Sequence, residues 1–144
     1  MDYQRVVIKH YVCALLVCMI AIFGLAFILA NYSGFDASVT ASVFPVVFAA
    51  VFAGKRYAEM TNRMPDRYEL WFYARTFAHI NLSIYAVTIV VFMAFGSYYG
   101  TFINGSAGTA LFVLAACFSW LVVALVSRYT FFLGVKAHLK LPER

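Results

Sequence analysis

Of the chain's 144 residues, 65% are hydrophobic and 12% charged, about half the charged share of an average soluble domain. That balance excludes an ordinary soluble domain and predicts an integral membrane protein. A net charge of +5 would suit nucleic acid only if Lys and Arg gathered on a water-facing domain; here they stand at the ends of apolar runs, which excludes a nucleic-acid partner and points to membrane lipids.

Taken in order, Met1 to His10 is a short polar start with Asp2, Arg5 and Lys9, and Tyr11 to Ala30 then gives 20 residues without a charge. Such a run crosses a hydrocarbon core of about 30 Å at about 1.5 Å per residue. It exceeds the roughly 7–15 apolar residues of a signal peptide, so a retained first helix is expected over about 10–31. Asn31, Tyr32, Ser33 and Gly34 form the exit turn.

The second apolar segment, Ala37 to Ala53, has 17 residues and contains Ser38, Thr40, Ser42 and Pro45. Asp36 is positioned to cap it, and Pro45 removes one backbone hydrogen bond. Ala49 with Ala53, and Ala50 with Gly54, make two overlapping pairs of small residues four apart, which permit close helix approach and predict a face packed against a neighbour. A helix is expected over about 36–60.

Gly54 to His79 is the one long polar island, with Lys55, Arg56, Arg63, Arg67 and Arg75 against Glu59, Asp66 and Glu69. Asn62 and Pro65 end one helix. Asp66 and Glu69 then have the spacing of a capping box, with Asp in place of Ser or Thr, and start the next over about 66–97. Glu59 has Arg56 and Arg63 at the spacings of helix-surface ion pairs. Trp71, Tyr73 and Phe77 are expected at the headgroup level. Asn81 and Ser83, early in the apolar run Ile80 to Phe95, are expected to hydrogen-bond another helix.

After an uncharged glycine-rich loop that includes Gly96 and Gly100, Thr109 to Ser127 gives 19 uncharged residues leading into Arg128, Lys136, Lys140 and Arg144. The last helix is expected over about 107–134. All 11 basic residues fall in three pieces, two before the first segment, five in the island and four at the end. The positive-inside rule then predicts four spans with both termini and the island in the cytosol. The expected fold is all-α: a single membrane domain, residues 1–144, built as a four-helix transmembrane bundle with a basic amphipathic cytosolic connection between the second and third helices.

Chemistry is sparse in this pattern. Coupled transport calls for ionisable groups within the membrane, whereas Asp36, Arg75, His79 and Arg128 lie at segment ends. Cys13, Cys18 and Cys117 fall inside apolar runs and read as buried small hydrophobes rather than a disulfide or metal set. His10 and His79, on different helices without a ligand motif, read as interfacial. Neither an enzyme nor a cofactor is expected.

The island AGKRYAEMTNRMPDRYELW resembles a family of small uncharacterised four-helix bacterial inner-membrane proteins. The shared features are a small pair ending the second helix (Ala53, Gly54), an aromatic (Tyr57), an arginine (Arg63), a proline (Pro65) and a glutamate four residues later (Glu69); Asp66 departs from the threonine common there. The resemblance implies the topology and a bacterial inner-membrane location, and no activity. The expected role is a non-enzymatic structural or accessory subunit that packs against a larger membrane complex. Ala49, Ala53, Gly54, Arg63, Pro65, Glu69 and Trp71 are its candidate partner or lipid contacts. The alternative is a small homo-oligomeric carrier or channel for a neutral or lipid-like molecule, lined by Ser42, Asn81, Ser83 and Thr88.

Overall fold

The computed structural model describes residues 2–33, 40–95 and 106–139. These form four α-helices and, among the described residues, no strand: α1 (Asp2–Ser33), α2 (Thr40–Thr61), α3 (Arg67–Phe95) and α4 (Ser106–Leu139). α2 packs along both α1 and α4, α3 packs along α4, and α1 meets α3 over a shorter stretch. Two stretches are long and apolar enough to cross a membrane, Tyr3–Ile22 in α1 and Leu114–Leu139 in α4. The expected cap at Asp36 and the Gly96–Gly100 pair lie outside the described residues.

α1 begins well before the expected start near residue 10. The polar opening is helical because it carries an inward row: Tyr3, Val7, Tyr11 and Leu15 recur every four residues, and the last three are fully buried. α4 likewise runs past the expected end at 134, since Val135 is a core residue one turn beyond Phe131. The core gathers in the halves of the helices nearest the connection between α2 and α3. Val46, Ala49, Ala50, Ala53 and Tyr57 come from α2, Tyr73 and Phe77 from α3, Phe131 and Val135 from α4.

Aromatic rings fill this core. Tyr11 and Phe77 stack with centroids 3.7 Å apart and planes 5° from parallel, Tyr73 and Phe131 stack at 4.8 Å, and Tyr57 meets both Tyr73 and Phe131 edge-on. Offset and edge-to-face pairs of this kind add about 0.5–1.5 kcal/mol beyond burial. Tyr73 and Phe77, expected at the headgroup level, are therefore core residues. On the α3 helix they share the side that meets the other helices, which a segment-end position in the sequence does not reveal.

α2 and α4 approach closely enough that side chains are excluded. A Cβ on Gly54 would collide with the Phe131 carbonyl oxygen, and one on Gly134 with the Val51 carbonyl oxygen. Each helix thus offers a glycine to the other's backbone, the geometry that small residues make possible. Outward faces are apolar: Val17 and Ile20 on α1, Phe44, Phe48 and Phe52 on α2, Leu114, Phe118 and Leu125 on α4 are all exposed. Cys13 and Cys117 also lie exposed rather than buried, on helix sides that look away from the bundle.

Candidate functional site

The structure gathers hydrogen-bond donors from α1, α2 and the connection at one carboxylate of the island, Glu69. α2 ends at Thr61 because Asn62 takes up a left-handed conformation, φ 47°, and its N–H bonds the Ala58 carbonyl at 2.8 Å. This is the αL cap that favours Gly or Asn. Arg63 and Met64 turn the chain, Pro65 is buried, and α3 starts at Arg67 with Asp66 in the capping position. The Asp66 N–H donates to Glu69 Oε2 at 3.0 Å, the half of a capping box that runs from the third helical residue back to the cap.

Four more donors converge on Glu69. The Tyr3 hydroxyl of α1 reaches Oε1 at 3.0 Å, and the Tyr57 hydroxyl of α2 reaches Oε2 at 2.8 Å. Arg63 closes a two-pronged pair, Nη1 to Oε2 at 2.9 Å and Nη2 to Oε1 at 2.8 Å, the bidentate fit that guanidinium and carboxylate share. A carboxylate offers about four lone-pair sites, and this one is fully used. Its side chain is 14% exposed against 47% for Arg63. The guanidinium carbon of Arg63 also sits 5.8 Å from the Tyr57 ring centroid.

Burial by itself would raise the Glu69 pKa. The Arg63 guanidinium, the Asp66 N–H and the two phenol hydroxyls outweigh it and bring the carboxyl down to about 2. Burial and the neighbouring carboxylate push the Tyr57 phenol well above its ordinary value, so Tyr57 remains a donor. Arg63 is held more firmly in its charged form by Glu69. An ionised carboxylate with every lone pair bonded is an anchor: it ties α1, α2 and the connection to the first turn of α3. Acting as a proton acceptor or a metal ligand would require dismantling that set.

Sequence spacing suggests Glu59 as a partner for both Arg56 and Arg63. Only Arg56 pairs with it, at 2.8 Å, because Arg63 lies beyond the helix end and turns to Glu69. Of the candidate contact residues, Arg63, Pro65 and Glu69 meet at the anchor, with Pro65 immediately before the cap. Ala49 and Ala53 are fully buried in the bundle, and Gly54 faces α4. The neighbour expected for this small-residue face is thus found within the chain. Trp71 stands apart on the outer side of α3, with the Arg128 guanidinium over its ring at 4.5 Å.

Sequence reasoning misses Tyr3 and Tyr11, both on α1. Tyr11 accepts a hydrogen bond from the Asn81 amide, which also donates to the Phe77 carbonyl at 2.8 Å; the interhelical bond expected of Asn81 is present. Ser83 instead donates to the His79 carbonyl of its own helix at 2.9 Å. The Tyr73 hydroxyl and the Trp120 indole N–H are buried without a hydrogen-bond partner among the described residues. His10 and His79 each donate from Nδ1 to a carbonyl one turn back, those of Val6 and Arg75. Compared with protein families, with curated proteins and with solved structures, the chain matches none.

Proposed function

We infer that the chain is a non-enzymatic structural or accessory protein of a bacterial inner membrane. It crosses the bilayer four times with both termini and the Glu69 connection in the cytosol, and packs its outer faces against a larger membrane complex. The observation that carries this reading is the stripe Phe44, Phe48 and Phe52. These rings recur every four residues along α2, are 49–55% exposed, and point away from the buried face that carries Ala49, Ala50 and Ala53. A row of rigid aromatic rings held out from a tightly packed helix is contact surface of the kind that anchors interfaces. The four-span topology is supported by the grouping of basic residues and by the outward apolar faces found on all four helices. The saturated Glu69 carboxylate supports an architectural role for the island over an acid/base one.

Extraction from the native membrane in mild detergent, followed by native-gel sizing and mass spectrometry, tests the reading. The expected result is stoichiometric co-migration with a larger complex. Replacing Phe48 and Phe52 by Ala is expected to release the chain from that complex while leaving its own unfolding temperature within a few degrees. Migration of the wild-type chain alone, or only with copies of itself, would refute the accessory role.

A further inference from the structure

Away from the anchor, a second concentration of charge lies along the seam of α3 and α4. Trp71, Arg75 and His79 recur every four residues on α3, one turn apart and so on one face. Trp120 and Arg128 stand eight residues apart on α4. The bundle brings the two rows together. The Arg128 guanidinium covers the Trp71 ring at 4.5 Å, and the His79 ring meets Trp120 edge-on at 5.5 Å. Arg75 Nε donates to the Trp71 carbonyl at 3.3 Å. Two guanidinium groups therefore converge on one tryptophan, one over its ring and one on its backbone.

Among the described residues no acidic side chain answers them. Among the described residues the ion pairs are Arg56–Glu59 and Arg63–Glu69, so Arg75 and Arg128 lack a carboxylate partner there. Arg75 and His79 are exposed and Arg128 is half-buried. The His79 Nδ1–H is spent on the Arg75 carbonyl at 2.7 Å. Like charges gathered without a counter-charge repel, more so near a low-dielectric phase, and an anion from outside the chain relieves the repulsion.

Depth selects the kind of anion. Arg128 directly follows the 19 uncharged residues Thr109–Ser127, about 28 Å of helix, which is close to the hydrocarbon thickness. The Trp71 indole, beneath the Arg128 guanidinium, then lies at the headgroup level where such rings settle. On the bilayer side of the arginines, Leu82 of α3 and Leu121 and Leu125 of α4 are exposed, a surface suited to acyl chains. We propose that this seam binds the headgroup phosphate of an anionic phospholipid. The Arg75 and Arg128 guanidinium groups hold the phosphate oxygens, as arginine forks do, Trp71 flanks the glycerol, and Trp120, eight residues before Arg128 on α4, lies beside the acyl chains. The site does not depend on a partner complex. It requires only that α3 and α4 lie in the bilayer.

Trp71 and Trp120 are the chain's two tryptophans, so intrinsic fluorescence reads the seam directly. The full chain is reconstituted in phosphatidylcholine vesicles in which a rising fraction of the lipid is acyl-brominated phosphatidylglycerol or, in parallel, acyl-brominated phosphatidylcholine. The wild type is expected to be quenched at lower fractions by the anionic lipid, with the preference falling roughly five-fold for each arginine removed, in Arg75→Gln or Arg128→Gln. Lys55→Gln and Lys136→Gln remove the same charge elsewhere and are expected to keep the preference. Arg128→Lys keeps the charge without the fork and is expected to retain part of the preference, between wild type and Arg128→Gln, which separates loss of charge from loss of fold.

Equal quenching by the two lipids overturns the site, and so does a loss from Lys55→Gln as large as that from Arg75→Gln. Protection from both brominated lipids together with quenching by aqueous acrylamide would place the seam outside the bilayer and overturn it as well. Abolition of the preference by added inorganic phosphate would assign the seam to free phosphate instead of a lipid.

Discussion

Glu69 and Trp71 are two residues apart on α3, about 200° around the helix, and the charges near them are used in opposite ways. On the inner side one carboxylate accepts hydrogen bonds from Tyr3, Tyr57, Arg63 and the Asp66 N–H, and the arginine's charge is consumed within the chain. On the outer side Arg75 and Arg128 gather around Trp71 with no carboxylate among the described residues. A charge matched internally, with its hydrogen bonds complete, holds helices together; a charge left on an aromatic shelf at the bilayer edge is available to something else. The same kind of residue thus serves architecture on one face and recognition on the other.

The largest expected effect comes from breaking the inner side. Glu69→Ala leaves the Arg63 guanidinium, two hydroxyls and a backbone N–H without their acceptor. The ion pair itself is partly exposed and contributes little, but leaving the part-buried Tyr3 and Tyr57 hydroxyls without their acceptor costs about 1–3 kcal/mol. Thermal unfolding of the detergent-solubilised chain, followed by circular dichroism, reads the loss. A variant as stable as the wild type would show that the anchor does not hold the helices.

Acid should weaken the same anchor more gently, because a protonated carboxyl keeps its shape and some of its bonds. The Glu69 carboxyl titrates at about 2 in the folded chain, below the ordinary 4.5. Its stabilisation is therefore complete above 4.5 and is lost as the pH falls from there toward 2. The unfolding temperature is expected to drop across that window in the wild type, and to drop less in Glu69→Gln, which has no carboxyl to titrate. Parallel curves for the two proteins would remove Glu69 as the source.

The outer side should be the least sensitive. Arg128→Gln forfeits a partly exposed cation–π contact, about 0.5–1 kcal/mol, and is expected to lower the unfolding temperature by only a few degrees in zwitterionic detergent. A loss rivalling that of Glu69→Ala would mean that Arg128 is a structural residue and would erase the contrast between the two faces.

Much of the inner side is legible in the chain. Asp66 and Glu69 have the capping spacing and make the expected bond, and Asn62 stops α2. The small residues Ala49, Ala53 and Gly54 mark a close-packed face. Tyr3 could not be found as readily: it lies 66 residues from Glu69 in a segment that reads as a polar tail. Its only signal is the four-residue spacing with Val7, Tyr11 and Leu15. Tyr73 and Phe77 read as interfacial because aromatic residues beside a charged island usually are; their burial depends on which side of α3 the other helices occupy. Gly134 sits inconspicuously in the basic tail, and only the approach of the Val51 backbone explains it.

Taken by itself, the sequence determined that the chain is helical and apolar, that its charges lie at segment ends, and where α2 stops and α3 is capped. Each of these follows from residue chemistry within a turn or two of helix. The tertiary structure alone decided which cations are matched and which are not. That outcome depends on how the helices are rotated and paired in space: Arg63 gains a carboxylate because the connection folds back over α3, while Arg128 arrives beside a tryptophan.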